Sequence, residues 1–296
     1  MDNSDLQLII NAIKSRKCLT FIGAGASTAF RNQHDQEIPG LPTGCQLAEW
    51  LARECNYVNG SSYDLLKVTE YFVYANSWDR SNLETKLRDK IRSCDQPRPI
   101  HTVLAQLPQI RFIITTNYDT LLEAELKHYK RLIIKHVYDR SDSKTAHFQV
   151  PFEREDRDVI LHKMHGCVEM PESMVITESD YIQYLANLND ADRGMPEVFR
   201  KNIIPQYILL FLGYGLADWN FRVIWQGVLA QLANKHLRKD SYALVRAPAK
   251  QLVRYWQKQD VVVLDQDLTE FATQLAQHFN LEIPQLGIAK QPRDSD

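Results

Sequence analysis

Short runs of consecutive apolar residues alternate along this chain with longer stretches of helical period. Cys18–Ile22, Arg111–Thr115, Asp158–Met164, Ile208–Leu212, Tyr242–Val245 and Val261–Leu264 are dense in β-branched and aromatic residues and read as buried strands. Leu6 to Ser15 carries Leu6, Ile9, Ile10 and Ile13 on one face and predicts a helix. Further helices are predicted at Gln46–Glu54, His101–Gln106, Leu121–Tyr129, Asn220–Ala233, Ala249–Gln257 and Leu268–Phe279. From about Tyr63 to Arg92 no Gly or Pro interrupts a helical pattern, and Pro97 and Pro99 close that stretch. Residues 139–158 are polar and charged and predict a surface excursion. Strands alternating with helices imply an α/β fold, a mostly parallel sheet flanked by helices, with a helical insertion module at about 63–92. The whole chain, 1–296, is expected to form one domain around that sheet.

Composition narrows the classes of function. The 296 residues hold 35 Lys+Arg against 37 Asp+Glu, a formal charge of −2, and 44% are hydrophobic. A near-neutral balance lacks the basic face that a general nucleic-acid binder needs, so no direct nucleic-acid binding is expected. No apolar run approaches the roughly 20 residues of a membrane helix, and the acidic, polar start does not resemble a secretory signal. Five scattered cysteines form no CxxC pair, which argues against a disulfide framework and a zinc ribbon. A reducing cytoplasm is the expected compartment.

In parallel sheets ligands bind at the carboxyl ends of strands, so the residues just after each strand carry the candidate chemistry. Gly23-Ala24-Gly25-Ala26-Ser27-Thr28 follows the first strand. Its two glycines would let backbone N–H groups approach a diphosphate, although a tight structural turn would use the same residues. Thr28 stands where a third glycine would be, and no GK[ST] follows. Thr115-Thr116-Asn117-Tyr118-Asp119 follows another strand; Asn117 can orient a water or a ribose hydroxyl, and Asp119 is a natural helix N-cap. His165-Gly166 ends the Asp158 strand, with a ring that ordinarily titrates near ~6.5 and suits proton traffic. His162, three residues earlier, is expected on the opposite face and structural. Thr177 and Asp180 fit a capping box for the helix holding Tyr181 and Tyr184. Gly213-Tyr214-Gly215 is a second close-approach loop, followed by Asp218 as a cap and by Trp219, Phe221 and Trp225 as core aromatics.

The order of these pieces resembles the sirtuin-like family, in particular its bacterial NAD-consuming branch used in anti-phage defence. The family pattern stands here as Phe21–Ser27, Thr115–Asp119, Lys163–Gly166, Thr177–Tyr181, Gly213–Gly215 and Asp218–Arg222, spanning roughly residues 18 to 265. The resemblance implies an inverted Rossmann-like domain that takes NAD as substrate, with Asn117 and His165 as the catalytic pair. It implies pyrophosphate contacts from Gly23, Ala24, Gly25 and Ser27, nicotinamide or ribose contacts at Thr116 and Asp119, and further contacts from Gly213 and Tyr214. Deacylase sirtuins carry zinc cysteines in CxxC pairs and a Pro-Asp-Phe-Arg run after the glycine loop. This chain has neither, and Ile38-Pro-Gly-Leu-Pro-Thr43 stands in the second place.

The expected activity is therefore NAD glycohydrolysis to nicotinamide and ADP-ribose, without zinc, as an effector of anti-phage defence. A deacylase or ADP-ribosyltransferase using another acceptor, and a non-catalytic nucleotide sensor, are the alternatives. About 30 residues after the last motif are too few for a sensor domain, so control is expected from self-assembly or a separate protein. The resemblance points to a HerA-type hexameric ATPase as partner. A homo-oligomer is expected to use exposed Tyr71, Phe72, Tyr74 and Trp78 of the helical module.

Overall fold

Every strand of the main sheet is parallel to its neighbours, in the order Leu132–Val137, Asp158–Lys163, Phe112–Thr115, Cys18–Ile22, Ile208–Leu212, Ser241–Val245 and Val261–Asp265 across the sheet. The computed structural model describes residues 3–32, 34–58, 61–77, 79–140, 158–188, 190, 193–217, 221–222, 225–226 and 241–283. The strands are β1 (Cys18–Ile22), β4 (Phe112–Thr115), β5 (Leu132–Val137), β6 (Asp158–Lys163), β7 (Ile208–Leu212), β8 (Ser241–Val245) and β9 (Val261–Asp265). The remaining two, β2 (Phe30–Arg31) and β3 (Glu37–Ile38), form a small antiparallel hairpin. The expected segments Asp218–Asn220, most of Asn220–Ala233, Trp78 and nearly all of 139–158 lie outside the described residues.

Helices cover both faces of the sheet, which is why its central strands read as unbroken apolar runs rather than alternating ones. On one face Cys18, Ile22, Ile113, Leu161 and Leu210 pack against α1 (Asn3–Lys14), α5 (Pro99–Gln106), α6 (Leu121–His128) and the C-terminal α9 (Leu268–Phe279). On the other, Leu19, Phe21, Ile114, Ile160 and Phe211 meet α7 (Glu178–Asn187), Phe199, Phe221, Trp225 and Trp256 of α8 (Lys250–Gln257). Phe221 and Trp225 are therefore core, as expected.

The stretch from Tyr63 to Arg92 folds as two helices, α3 (Leu65–Ala75) and α4 (Arg80–Arg92), started by the carboxylates of Asp64 and Asp79. With α2 (Gly44–Glu54), capped by a Thr43–Gln46 capping box, they form a satellite core of Leu47, Leu51, Val68, Phe72, Leu83 and Leu87. Met174 and Ile176 join it and seat the module on the segment before α7. This corrects the expectation of an aromatic outer face: Phe72 is 2% exposed and inside the module. Tyr71 lies edge-on to Tyr57 at 5.1 Å, and Tyr74 is exposed.

The strand order places the site. Chain leaving β1 passes through the hairpin and the helical module before building β4, β5 and β6 on one side, and only then returns to β7 on the other. The carboxyl end of β1 is thus the point where the winding reverses, and the crevice that opens there is the ligand position of doubly wound sheets.

Candidate functional site

Three loops converge at the carboxyl ends of β1, β4, β6 and β7. The Gly23–Ser27 segment leaves β1 as one turn of 3-10 helix over Ala24–Ser27. Its amide groups bond into the β7 loop, Gly23 N–H to Leu212 O at 2.9 Å and Gly25 N–H to Gly213 O at 2.8 Å. Gly213 has φ +74°, and a Cβ there would stand 2.3 Å from the Ala26 nitrogen, so only glycine permits this contact.

The Thr115–Asp119 loop is stitched to the same segment. Thr115 Oγ1 donates to Ile22 O at 2.9 Å and accepts from Asn117 N–H at 3.0 Å. The Asn117 amide donates to Gly23 O at 3.2 Å and Ser27 Oγ at 3.3 Å, and Ser27 donates to Asp119 Oδ2 at 2.9 Å. Asp119 Oδ1 accepts from Leu121 N–H at 3.1 Å, although the N-cap position of α6 belongs to Thr120. Ser27, Asn117 and Asp119 thus form one buried network, while Asn117 Oδ1 has no partner among the described residues.

The third loop follows β6. Met164 N–H bonds to Thr115 O at 2.8 Å and Val168 N–H to Tyr118 O at 2.9 Å, so the His165 loop lies beside the Asn117 loop. The His165 ring stands edge-on to Tyr181 and Tyr184, with centroids 5.9 and 5.0 Å away, and its Nε2 is buried without a partner. Removal from water pushes its pKa down from 6.5 to about 4, so the ring is neutral at pH 7 and has lost the expected mid-range titration.

His162 does not point away from His165. Ile160 belongs to the core face that holds Tyr181, Tyr184 and Phe199, and His162 stacks on Phe199 at 5.7 Å on that same face. Strand alternation stops at Lys163, where a turn carries His165 back to this side. His162 Nδ1 also meets His136 Nδ1 at 2.9 Å, a pairing that requires one ring to donate and the other to accept.

Tyr214 joins the parts. Its ring packs against Gly23, its hydroxyl donates to Ile22 O at 3.1 Å and lies 3.3 Å from Thr116 Oγ1, and burial raises its pKa. It also lines a cavity of about 730 Å³ that extends from Gly25 and Gly213 toward Phe30, Arg98, Val245 and Gln266. Of the predicted site residues, Gly25, Gly213 and Tyr214 line this cavity; Gly23, Ala24, Ser27, Thr116, Asn117, Asp119 and His165 do not, although Ser27, Asn117 and Asp119 are hydrogen-bonded to one another and Thr116 to Tyr214.

Other residues of the site escaped the sequence reading. Lys163 is fully buried and donates to Asp119 O at 2.5 Å and to Glu123 Oε1 at 3.2 Å. A lysine ending a strand whose Val159–Leu161 stretch is apolar was the available signal. Asp180 does more than close its capping box with Thr177: it also accepts from Arg80 at 2.6 Å and Arg140 at 3.2 Å, tying the helical module to α7. Among the described residues no group of three or more His, Cys, Asp or Glu side chains could hold a metal, and no helix is long and apolar enough to cross a membrane.

The chain is similar to proteins of known name. It is 27% identical over 216 residues to the NAD(+) hydrolase ThsA of Acinetobacter baumannii, covering 73% of this chain and 40% of the relative. It is 25% identical over 226 residues to the NAD(+) hydrolase ThsA of Bacillus cereus, covering 76% and 42%. With defense-associated sirtuin 2 of Bacillus subtilis it shares 25% identity over 263 residues, 82% of this chain and 22% of the relative. The chain therefore spans about two-fifths of the length of the ThsA relatives it matches. Residues 111–264, just over half of the chain, match the SIR2-like domain, and the protein belongs to that family.

Proposed function

We propose that this chain hydrolyses NAD to nicotinamide and ADP-ribose. The observation that carries the reading is the pair of buried polar atoms without a partner among the described residues, Asn117 Oδ1 and His165 Nε2, presented by adjacent loops near the point where the winding reverses. Buried polar atoms are nearly always paired, and a functional site is one reason for exceptions. The names of the ThsA relatives, NAD(+) hydrolase, support the same activity.

The chemistry asks little of an acid. The leaving pyridinium becomes neutral nicotinamide as the C1′–N bond breaks, so nothing need protonate it. Positive charge develops on the ribose in an oxocarbenium-like transition state, by analogy with other glycosidic cleavages. A water held by Asn117 Oδ1 adds to C1′, forming the C1′–O bond, and its proton passes to His165 Nε2 and then to solvent. A water bonded to that carbon is strongly acidic, so a ring with a pKa of about 4 suffices as acceptor. The buried Asp119 carboxylate, held by Ser27, adds negative potential beneath the loop.

The same reading makes Gly23, Ala24, Gly25, Ser27, Gly213 and Tyr214 the dinucleotide cradle and Thr116 a ribose contact. It places the protein in the cytoplasm as a homo-oligomeric effector of anti-phage defence, working with a HerA-type ATPase. Defence is supported by the name of the Bacillus subtilis relative, while the partner and the assembly rest on the family resemblance.

Incubating purified chain with NAD and resolving the products tests the activity. ADP-ribose and nicotinamide are expected without any acylated peptide, with at least a 100-fold loss in Asn117→Ala and His165→Ala variants that keep the wild-type circular dichroism. Products that form only with an acylated peptide would replace the hydrolase by a deacylase, and binding without turnover would make the chain a sensor.

A further inference from the structure

Arg98 is 3% exposed, yet two of its three guanidinium nitrogens, Nε and Nη1, have no hydrogen-bond partner among the described residues. The third, Nη2, donates to Pro39 O at 2.5 Å and touches Cys94 Sγ at 3.3 Å. The guanidinium lies over the Phe30 ring at 5.3 Å, and the Arg98 backbone N–H donates to His101 Nδ1 at 3.2 Å, which fixes the start of α5. Among the described residues no carboxylate pairs with Arg98. The Asp119 carboxylate favours its charge from a distance without closing an ion pair, and a buried cation lacking a hydrogen-bonded counter-ion is costly, since an arginine cannot escape by losing its proton.

Its position gives that cost a purpose. Arg98 lines the same cavity as Gly25, Ala26, Gly213 and Tyr214. The glycine loop carries no positive side chain, and the N–H groups of Gly23, Gly25 and Ala26 are already bonded to Leu212 O, Gly213 O and Gly23 O, so the loop by itself offers a diphosphate little charge. Two other arginines line the cavity, and neither is available in the same way: Arg31 is 64% exposed and bound to Asp35, and Arg246 is 83% exposed at 4.0 Å from Asp267.

We propose that Arg98 is the cationic anchor of the diphosphate, its Nε–H and Nη1–H closing on phosphate oxygens in the cavity that Gly25 and Ala26 also line. The fork of two N–H groups matches two oxygens of one phosphate, and hydrogen bonds between charged partners are about twice as strong as neutral ones. The inference rests on the nucleotide reading of the site and adds the residue that recognises charge there. It also extends recognition to other nucleoside diphosphates, because adenine and nicotinamide play no part in it.

Calorimetric titration of the full chain with ADP and with adenosine tests this. The wild type is expected to bind ADP at least tenfold more tightly than adenosine. In Arg98→Met that preference should fall to within about threefold, with adenosine affinity unchanged. A folded Arg98→Met chain that keeps the full ADP preference overturns the proposal. If that variant does not fold, a crystal structure of the wild type with ADP decides: a guanidinium nitrogen within about 3.2 Å of a phosphate oxygen is expected, and a diphosphate seated away from Arg98 overturns it. A wild type that binds neither NAD nor ADP removes the nucleotide reading itself. Turnover of NAD with an ADP preference indifferent to Arg98 removes only the anchor.

Discussion

The ammonium of Lys163 donates to the carbonyl of Asp119 across 2.5 Å, joining the strand that leads to His165 to the loop that carries Asn117. The bond is sealed from water, and Glu123 at 3.2 Å supplies the compensating charge. Lys163 touches neither predicted catalytic atom, so its effect is to hold the two loops in register.

Replacing Lys163 by Met should therefore lower NAD turnover by tenfold or more and destabilise the fold by about 3 kcal/mol, since a buried pair loses one partner. Lys135, 3.8 Å from Glu123, limits the damage by shifting onto the stranded carboxylate. Urea titration and steady-state kinetics on the same preparation check both parts. A variant with normal kcat and normal stability would show that the bond positions nothing.

Gly213→Ala tests the contact between the β1 and β7 loops. A Cβ at φ +74° would press on the Ala26 nitrogen and the Gly23 carbonyl, at 2.3 and 2.8 Å. Backbone atoms on both sides cannot yield cheaply, so nucleotide binding should weaken at least tenfold while the sheet core survives. Titration with ADP, alongside a thermal melt, measures the two separately.

Acid should unfold this protein early. Burial holds His101, His136 and His165 near 4 and pushes His162 well below its ordinary value. In the unfolded chain each titrates near ~6.5. Between those values the unfolded chain binds more protons, so stability is fully present above about pH 6.5 and is lost as pH falls toward 4. Each histidine contributes up to about 1.4 kcal/mol per pH unit within that window. Urea midpoints at pH 7.5, 6 and 5 should fall steadily, and equal midpoints would contradict the burial. While the protein stays folded, activity should show no acid limb near 6.5, because His165 remains neutral well below it.

Phe72→Glu should destabilise the helical module rather than dissociate an assembly. The side chain lies in the core of α2, α3 and α4, so a carboxylate there would be buried without a partner, costing several kcal/mol. Tyr74→Glu, on the exposed side of α3, is the variant that probes self-association. Light scattering and thermal melts of the two variants together should separate the roles.

The sheet was legible in the chain because its central strands are buried on both faces and read as uninterrupted apolar runs; β7 matches its expected bounds, Ile208–Leu212, residue for residue. Edge strand β5 escaped because Leu132–Val137 is only partly covered and mixes Lys135 and His136 with its aliphatic residues. At the site, the loops after the strands and the Thr177 capping box were readable from residue type and spacing. The state of His165 was not, since its depressed pKa comes from burial, and only folding shows that Tyr181 and Tyr184 of the following helix close over its ring. Lys163 and Arg98 were missed for a related reason: a lone cation gives no periodic signal, and only folding reveals whether anything neutralises it.

The central position of β1 has a consequence during synthesis. Its two neighbours, β4 and β7, begin at residues 112 and 208, so the glycine loop waits for a partner that is translated far later. At translation rates of ~5–20 residues per second, β7 reaches the ribosome exit roughly 10–40 s after β1. Until then neither Gly213 nor Tyr214 exists to complete the cradle. The loop after β1 consequently keeps the Gly23 and Gly25 amides unpaired until β7 docks and supplies Leu212 O and Gly213 O.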